Sequence, residues 1–492
     1  MTQNIAIIGS GFLGLTLALR LAERGDTVTL FESGNEIGGL ASAWEIGDVT
    51  WDKHYHVTLA SDSNTRNIVE ELGLGKDFNW VETKTGFYTD GKLVSMSNTL
   101  EFLKFPPLGL VSKLRLGATI FFASRVKDWK SLEKVSVEDW LTKLSGKKTF
   151  EKIWKPLLKA KLGEGYEDVS AAFIWATIQR MYAARNSGLK KEMFGYVRGG
   201  YARVLDRFGE LLTEKGVEIR LNSKVDEVEK LSNGKLQIHT VATRRRTDKK
   251  SCSYPQKAKY ARVLPAVAIA GFSGGFLSEP ALPAYRRTHG ESNTFDKVIL
   301  TCPSNAAAKL VPQLSPGEKA DLENIRYQGI VCASVLMKHS LSKYYVTNIT
   351  DEAPFTGVIE MSALVDKKEF GRNALIYLPK YVAPDDELFD KSDEEIERIF
   401  LAGLEKMYTH FRRKDVLAFK VSRVRQVFPL PVLNYSTELP PARTSIDGLF
   451  VVNSSHIVNG TLNVNETVAL AENFCKEIEA ETRPVGSVSS QR

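Results

Sequence analysis

The feature that most constrains this chain is a set of closely spaced glycines near its amino terminus, at Gly9, Gly11 and Gly14. They lie between a short β-branched run, residues 4–8, and an apolar segment that predicts a helix over residues 15–23. A strand, a glycine turn and a helix in this order are typical of a dinucleotide-binding crossover. The sequence therefore predicts a Rossmann-type unit at the start of the chain.

Each part of this turn has a physical role. Gly9 permits the tight turn, Gly11 lets a pyrophosphate approach the backbone, and Gly14 lets the helix pack closely on the strand. The helix amino terminus offers free N–H groups and a partial positive charge to phosphate. We therefore expect Phe12 and Leu13, which lie within the glycine turn just before the predicted helix, to lie beside the phosphates as well.

An acidic residue follows at the expected distance. Glu32 lies directly after a second predicted strand, residues 27–31, and 18 residues beyond Gly14. Its carboxylate can accept hydrogen bonds from both hydroxyls of an adenosine ribose and should repel a 2′-phosphate, which argues against NADP. A glycine pair soon afterwards, which nicotinamide dehydrogenases do not need, lets the chain return beside the pyrophosphate. The further cofactor-binding residues predicted in this segment are Ser33, Gly39, Leu40 and Ala41.

The order of glycine motif, acidic residue and glycine pair resembles a large flavoprotein superfamily. Its members include amine oxidases, protoporphyrinogen oxidases, phytoene-type desaturases and UDP-galactopyranose mutases. A second segment is similar to the same family: glycines 199 and 200, an amphipathic helix, Gly216, and a strand that leads to Val225. The resemblance implies FAD as the cofactor and a backbone contact between Val225 and its adenine.

Two later segments also resemble the family. Residues 295–303 match its returning strand, and residues 447–453 match the strand before its carboxy-terminal helix. The resemblance implies that this helix directs its amino terminus at the pyrimidine end of the flavin, where its dipole stabilises the charge of the reduced ring. The residues implied at this end of the cofactor are Asn453, Thr461, Leu462 and Asn463.

The implied fold class is α/β. A Rossmann-type FAD-binding domain would join a discontinuous α+β substrate domain in an amine-oxidase-like, two-domain architecture. We assign residues 1–80, 191–305 and 440–480 to the FAD domain, and 81–190 and 306–439 to the substrate domain. Residues 242–292 do not fit the family pattern and predict an inserted flexible loop. Residues 481–492 predict a disordered tail.

Candidate chemistry lies in Asp52-Lys53-His54-Tyr55-His56. In the family the matching strand passes beside the flavin ring, and this chain carries His54 where glycine is usual. On a strand, His54 and His56 would share one face and Tyr55 the other. We expect His56 or His54 to be the catalytic group, with His54 and Tyr55 also in contact with the cofactor; core or surface histidines are the alternative.

The central part of the chain carries candidates for the substrate. The apolar segment 110–122 predicts a helix, for which a core position is the preferred interpretation; a hydrophobic substrate or a membrane surface stays open. Lys155, Lys161, Arg180 and Arg185 could bind an anionic group, and solvated or ion-paired roles are equally compatible with the sequence. The expected partner is therefore a small-molecule substrate that is apolar or carries an anionic group.

Composition narrows the remaining classes. The net charge of +7 has no nucleic-acid-binding motif beside it, so we expect no nucleic-acid partner. The four cysteines form no CxxC pair, so no metal site is predicted and a reducing compartment fits best. No secretory signal or uninterrupted membrane span is visible, which predicts a cytoplasmic protein with a peripheral membrane contact left open. The sequence does not predict an oligomeric state.

The leading hypothesis is an FAD-dependent oxidoreductase, an oxidase, dehydrogenase or desaturase that transfers a hydride from an organic substrate to flavin N5. The substrate could be an amine, a tetrapyrrole or an isoprenoid. Two alternatives stay open: a flavoenzyme similar to UDP-galactopyranose mutase with no net redox change, and a non-catalytic FAD-binding protein.

Overall fold

A parallel sheet built from distant parts of the chain forms one layer of the protein. The computed structural model describes residues 2–186, 193–241 and 289–482. The strand Asn4–Ile8 lies at the centre of this sheet and pairs in parallel register on both sides, with Ile7 opposite Leu30 and Ile299. The five strands, in spatial order, are Glu218–Arg220, Thr27–Phe31, Asn4–Ile8, Lys297–Leu300 and Leu449–Val451.

Both faces of the parallel sheet are covered, which explains the continuous apolar run of the central strand. On one face, Ile5 and Ile7 pack in a core with three helices, Phe12–Glu23, Gly200–Glu214 and Val464–Thr482. On the other face, Ala6 and Ile8 pack with the antiparallel strands and helices that follow in the chain. These elements are the strands Val225–Lys230, Leu236–Val241 and His289–Phe295 and the helices Ser304–Leu310 and Pro316–Glu323.

A mixed sheet of seven strands forms the second layer. Its longest interior strand, Tyr327–Met337, lies second in the sheet and is buried along its whole length, because side chains of both faces enter cores. The helix Asp393–Met407 contributes to the core on one face, and the central helices of the chain to the other. The strands, in spatial order, are Val416–Pro429, Tyr327–Met337, Ala374–Val382, Gly357–Glu360, Val346–Ile349, Thr85–Thr89 and Lys92–Ser95.

Smaller elements connect the two layers. A hairpin pairs Ala43–Ile46 with Val49–Asp52, and the strand Met193–Val197 pairs with both Thr58–Leu59 and Phe78–Glu82. The helices between residues 63 and 186 are Ser63–Glu71, Thr99–Lys104, Leu110–Ala123, Trp129–Leu132, Val137–Ser145, Lys147–Thr149, Lys155–Leu162 and Ala171–Asn186. A further short helix spans Tyr435–Glu438.

The architecture agrees with the predicted α/β class, with local corrections. The first helix begins at Phe12 rather than residue 15, because Gly11 already holds the helix-capping conformation. Residues 289–292 lie in the strand His289–Phe295, so the predicted loop 242–292 was too long at its end; residues 242–288 lie outside the described residues. In the predicted tail 481–492, residues 481 and 482 complete a helix, and the others lie outside the described range.

The division into two domains stays a prediction. One observation bears on its boundary at residue 305: the helices Ser304–Leu310 and Pro316–Glu323 pack against the parallel sheet, through Ala307 and Leu322. Among residues 2–186, 193–241 and 289–482, no helix has both the length and the apolar character needed to cross a membrane.

Candidate functional site

The three glycines of the turn after the first strand have different surroundings: two are packed against protein atoms and one borders open space. Gly9 has φ +109°, and a Cβ there would lie 2.5 Å from Thr301 Oγ1. A Cβ on Gly14 would collide with the carbonyl oxygen of Gly9. By contrast, a Cβ on Gly11 would meet no atom within 4 Å. Gly9 and Gly14 therefore maintain the turn, whereas Gly11 borders open space into which a ligand can approach.

The helix that follows has an amino terminus suited to an anion. Gly11 occupies the N-cap position and has no side chain with which to cap the helix, while its carbonyl accepts the first helical hydrogen bond from Leu15 N at 3.0 Å. The side chains of Phe12 and Leu13 are buried, so only their backbone N–H groups can face a ligand. Free N–H groups beside an open glycine fit the phosphates of a dinucleotide.

The glycine pair returns the chain to this turn. Gly38 N donates to the carbonyl of Ser10 at 2.8 Å, and a Cβ on Gly39 would lie 3.2 Å from Gly11 Cα. The short 3₁₀ turn Gly39–Ala41 leaves Leu40 partly exposed and buries Ala41. The backbone of the glycine pair thus lies directly against the glycine turn, as the sequence predicted.

The carboxylate of Glu32 already has partners within the protein. One oxygen accepts from Ser10 N at 3.0 Å and Ser10 Oγ at 2.6 Å; the other accepts from Gly34 N at 2.7 Å and Ser33 Oγ at 3.2 Å. A carboxylate offers about four acceptor sites. A ribose hydroxyl at Glu32 would therefore take the place of a serine hydroxyl, either Ser10 or Ser33, both of which can rotate away.

Val225 lies on the side of this turn where the adenine is expected. Ser223 N donates to the carbonyl of Glu32 at 2.8 Å and joins the two segments. Val225 itself is buried and begins the strand Val225–Lys230. The backbone contact between Val225 and adenine stays a prediction.

The segment after Asp52 corrects the sequence interpretation. The strand Val49–Asp52 ends there, and residues 53–57 are irregular, so the expected strand that places both histidines on one face was wrong. His54 Nε2 lies 3.2 Å from Ser422 Oγ, whereas the His56 ring lies 4.9 Å from the ring of Tyr201. The two imidazoles thus have different surroundings and cannot act as one paired group.

The two histidines also differ in their polar partners. Burial, followed by the nearby charges of His56 and Lys53, lowers the pKa of His54 to about 3. His54 is therefore neutral at physiological pH and can exchange a hydrogen bond with Ser422. His56 Nδ1 is buried without a hydrogen-bond partner and lies 3.7 Å from a carboxylate oxygen of Asp52.

Tyr55 belongs to a polar cluster that sequence reasoning missed. Its hydroxyl lies 3.1 Å from that of Tyr381, to which Lys161 Nζ donates at 2.8 Å. Burial raises the pKa of Tyr381 to about 12 and lowers the pKa of Lys161. Tyr381 lies on the strand Ala374–Val382, more than 300 residues from Tyr55, and no local pattern in the sequence links them.

Two of the other cations predicted to bind an anion have protein partners. Arg180 donates to both carboxylate oxygens of Asp62, at 2.8 and 3.2 Å. Lys155 lies 3.4 Å from Glu151. The side chain of Arg185 lies outside the described residues. Among the described members of this set, Lys161 is the one that has aromatic rather than carboxylate neighbours.

The predicted residues at the carboxy-terminal end divide into two groups. Asn453 is buried, donates to the carbonyl of Cys302 at 2.9 Å and accepts from Ser455 N at 2.9 Å, so its side chain holds the loop together. Asn463 Oδ1 accepts from Glu466 N at 3.1 Å and thereby caps the helix Val464–Thr482. Its amide group donates to the carbonyl of Thr461 at 2.6 Å, and Leu462 packs against the larger core.

Comparison with known proteins identifies the family. The model of the family described as "Flavin containing amine oxidoreductase" matches residues 14–259 and 284–464, which is most of the chain. Zeta-carotene desaturase of Synechocystis sp. is 23% identical over 262 residues, an alignment that covers 48% of this chain and 53% of that protein. The chain thus aligns with about half the length of this curated relative.

Solved structures show how widely the fold is used. Putrescine oxidase bound to putrescine aligns with a TM-score of 0.67 and 15% identity, covering 98% of this chain and 99% of that one. Reduced UDP-galactopyranose mutase aligns with a TM-score of 0.68 and 13% identity, covering 98% and 95%. At these identities the likeness shows the fold alone, which hosts both an oxidase and a mutase.

The family match begins at Gly14, the last glycine of the turn, and continues through the carboxy-terminal strand to Val464, the first residue of its helix. The open Gly11 position and the free helix end fit the cofactor of this family. The chain belongs to the flavin containing amine oxidoreductase family, and its cofactor is FAD.

Proposed function

We propose that this protein is an FAD-dependent oxidoreductase that removes a hydride from an apolar organic substrate. The observation that carries the proposal is the aromatic environment around residues 52–56, the segment that corresponds to the flavin-side strand of the family. Tyr55 packs 6.1 Å from the ring of Tyr377, and Tyr381 packs 5.9 Å from that of Phe428. A wall of this kind suits the apolar part of a substrate, and the relatives named as carotenoid desaturases support an apolar substrate class.

FAD supplies the hydride acceptor when it is bound, because the protein has no comparable redox group of its own. The chain's residues bind, orient and exclude water. The helix end at Phe12 and Leu13, with Gly11 and Gly39 beside it, would hold the phosphates. The end of the carboxy-terminal helix, capped by Asn463, would bind the flavin end of the cofactor together with Thr461 and Leu462.

The segment 52–56 would form the flavin-side wall of the substrate site. His54 is held by Ser422 and is neutral, so it acts as a hydrogen-bonding group rather than a cation. His56 is the better candidate for proton transfer, because its Nδ1 is buried and free of a hydrogen bond. A carboxylate oxygen of Asp52 lies 3.7 Å from this nitrogen.

The test is reduction of the bound flavin without oxygen. We expect zeta-carotene in liposomes to bleach the visible absorption band of the holoprotein, and air or a quinone to restore it. Putrescine is the matched polar donor and should leave the band unchanged. Interconversion of UDP-galactopyranose by the dithionite-reduced protein, or a flavin that no donor bleaches, would replace this proposal with one of the two alternatives.

An exposed apolar surface supports peripheral contact with a membrane as part of the same function. The outward face of Leu110–Ala123 leaves Val111 72% and Leu114 62% exposed, so the core interpretation of this helix was wrong for that face. Leu100, on the adjacent helix Thr99–Lys104, is 70% exposed. This surface, which we call the apolar face, consists of Leu100, Leu103, Leu110, Val111, Leu114, Phe121 and Phe122.

The charges around the apolar face fit anionic lipid. Between residues 100 and 135 the exposed charged side chains are basic except for Asp128. An apolar surface with a cationic rim is the combination that binds the interface of an anionic bilayer. The exposed basic side chains are Lys104, Arg115, Arg125, Lys127, Lys130 and Lys134.

Sedimentation with liposomes tests this contact. The wild-type protein should sediment with vesicles that contain phosphatidylserine. Leu114→Glu should lower the membrane partition coefficient at least tenfold, since a leucine side chain contributes about 1.5–3 kcal/mol when buried. Leu417→Glu is the matched control, because Leu417 is 45% exposed on another surface. Equal loss in both variants, or no binding by the wild type, would contradict the membrane contact.

A further inference from the structure

Lys161 differs from the two other lysines of its helix. The helix Lys155–Leu162 carries Lys155 and Lys159, which pair with Glu151 at 3.4 Å and Glu164 at 2.8 Å. Lys161 instead donates to the hydroxyl of Tyr381. Within residues 2–186, 193–241 and 289–482, no carboxylate lies within ion-pairing distance of Lys161 Nζ. Among the described residues, the Lys161 amine thus has a tyrosine hydroxyl, rather than an acidic side chain, as its polar partner.

The surroundings of Lys161 are suited to an ammonium group. Its Nζ lies 4.2 Å from the ring centroid of Tyr381 and 4.9 Å from that of Phe428. Ring faces at these distances attract a cation. This attraction offsets only part of the hydration free energy that an ammonium group loses on burial. The hydrogen bond to Tyr381 uses one of the three N–H donors of Lys161. Two N–H groups are therefore left for a ligand.

Lys161 and Tyr55 are enclosed by protein but remain partly accessible. Burial dominates the lowered pKa of Lys161 and the raised pKa of Tyr55, so protein surrounds both side chains. Both nevertheless keep some accessible surface, whereas Tyr381, Phe428 and Tyr377 around them are buried. The accessible part of Lys161 therefore lies beside the buried rings of Tyr381 and Phe428.

We infer that Lys161, positioned by Tyr381, binds the carboxylate of a substrate whose remaining part is apolar. The carboxylate would accept the two free N–H groups of Lys161, and the rings of Tyr381 and Phe428 would contact the first carbons of the chain. Arg180, the next nearest cation, already has both carboxylate oxygens of Asp62. This inference rests on the proposed function, since it places the anchored substrate between Lys161 and the segment 52–56.

The experiment measures ligand binding rather than turnover. Decanoate and decan-1-ol share one alkyl chain and differ in charge, and both are titrated into the FAD-loaded protein and the apoprotein by calorimetry. A hydrogen bond to a charged group contributes enough to change affinity about 10- to 100-fold. We expect decanoate to bind more tightly than decan-1-ol by about this factor, with the preference present in both forms of the protein.

Variants of Lys161 assign the preference. Lys161→Met should remove it and leave binding of decan-1-ol unchanged, while Lys161→Arg should retain part of it. Tyr381→Phe keeps the ring and loses the hydroxyl, so decanoate should weaken by about two- to tenfold. Lys159→Met is the matched control on the same helix and should have no effect. If Lys161→Met does not fold, the arginine and Tyr381→Phe variants still measure the effect.

The outcomes separate this inference from the proposed function. Decanoate binding that depends on Lys161 supports the inference even if no donor bleaches the flavin. In that case only the proposed hydride transfer is refuted. If donors bleach the flavin but Lys161→Met binds decanoate as the wild type does, the inference is overturned and the oxidoreductase stands. Inorganic phosphate that competes through Lys161, with no preference for decanoate, would also overturn the carboxylate assignment.

Discussion

Replacing Gly11 with alanine should separate cofactor binding from folding. The backbone at Gly11 has φ −66° and ψ 173°, which alanine adopts without strain, and its Cβ would meet no protein atom within 4 Å. In the FAD-bound protein the same methyl group would occupy the space through which the pyrophosphate approaches the helix end. Gly11→Ala is therefore expected to keep the apoprotein folded and to weaken FAD.

Gly11→Ala should stabilise the apoprotein but weaken FAD binding, and the size of each effect can be estimated. In the apoprotein, alanine restricts the unfolded chain, which stabilises the fold by about 0.4–1 kcal/mol. In the complex, displacement of one phosphate oxygen from a backbone N–H loses a hydrogen bond to a charged group, about 1.5–3 kcal/mol. The dissociation constant for FAD should therefore rise about 10- to 100-fold, since each 1.4 kcal/mol is about a factor of ten.

Gly14→Ala is the matched control, because the same substitution there meets protein rather than open space. Its Cβ would collide with the carbonyl oxygen of Gly9 and lie 3.1 Å from the carbonyl carbon. Overpacking of this kind costs about 1–3 kcal/mol of the free energy of unfolding. Thermal unfolding of the two apoproteins, and quenching of FAD fluorescence on binding, measure the two quantities separately.

The contrast between the variants makes the reasoning refutable. If Gly11→Ala binds FAD with the wild-type dissociation constant, the pyrophosphate does not lie against Gly11. If Gly11→Ala instead lowers the unfolding midpoint of the apoprotein as much as Gly14→Ala does, then Gly11 is a structural glycine and the open space beside it has no binding role.

Three further predictions concern the surroundings of the site. Burial lowers the pKa of His54 from 6.5 to about 3, so below pH 6.5 the unfolded chain binds a proton that the folded protein does not. Urea unfolding should therefore show that the wild type loses up to about 1.4 kcal/mol of stability per pH unit relative to His54→Gln, between about pH 6.5 and pH 3. The same pH dependence of stability in both proteins would contradict a buried, neutral ring. Asn463→Ala should cost about 1 kcal/mol in urea unfolding of the apoprotein, and Asn463→Asp should restore most of it, because the loss is that of a helix cap. Asp62→Asn should lower stability by about 1–3 kcal/mol, since it weakens two hydrogen bonds from Arg180, and an unchanged midpoint would show that this pair is screened by solvent.

The sequence predicted best those strands and turns whose conformation is determined by neighbouring residues. The strands Asn4–Ile8 and Thr27–Phe31 were predicted with their observed bounds, because β-branched runs bounded by glycine leave few alternatives. Asp90 and Gly91, both at positive φ, form the turn between the strands Thr85–Thr89 and Lys92–Ser95, and an Asp-Gly pair is typical of such a turn. The glycine turn and the helix after it follow from sterics within about fifteen residues.

The segment 52–56 could not be predicted in this way. Its conformation depends on distant residues: the hydroxyl of Tyr377 donates to the carbonyl of Asp52, and Ser422 contacts His54. The resemblance to the family implied a strand, but these tertiary contacts hold residues 53–57 in an irregular conformation. The sequence therefore indicated both histidines as candidates but could not predict that their surroundings differ.

The substrate side shows the same limit. The apolar pattern of Leu110–Ala123 predicted a helix correctly, yet periodicity cannot state which apolar face a neighbour covers, and the outward face proved exposed. Lys161 was named among several cations, but its aromatic neighbours come from strands 374–382 and 416–429, which only the folded sheet brings together.

The most direct test of the account is the identity of the chromophore that the protein releases. The protein is purified without added cofactor, its folding is checked by circular dichroism, and the denatured supernatant is analysed by chromatography and mass spectrometry. The account predicts FAD at about one molecule per chain, and a large loss of this FAD in Gly11→Ala. A folded, colourless protein that does not take up FAD on reconstitution would contradict it.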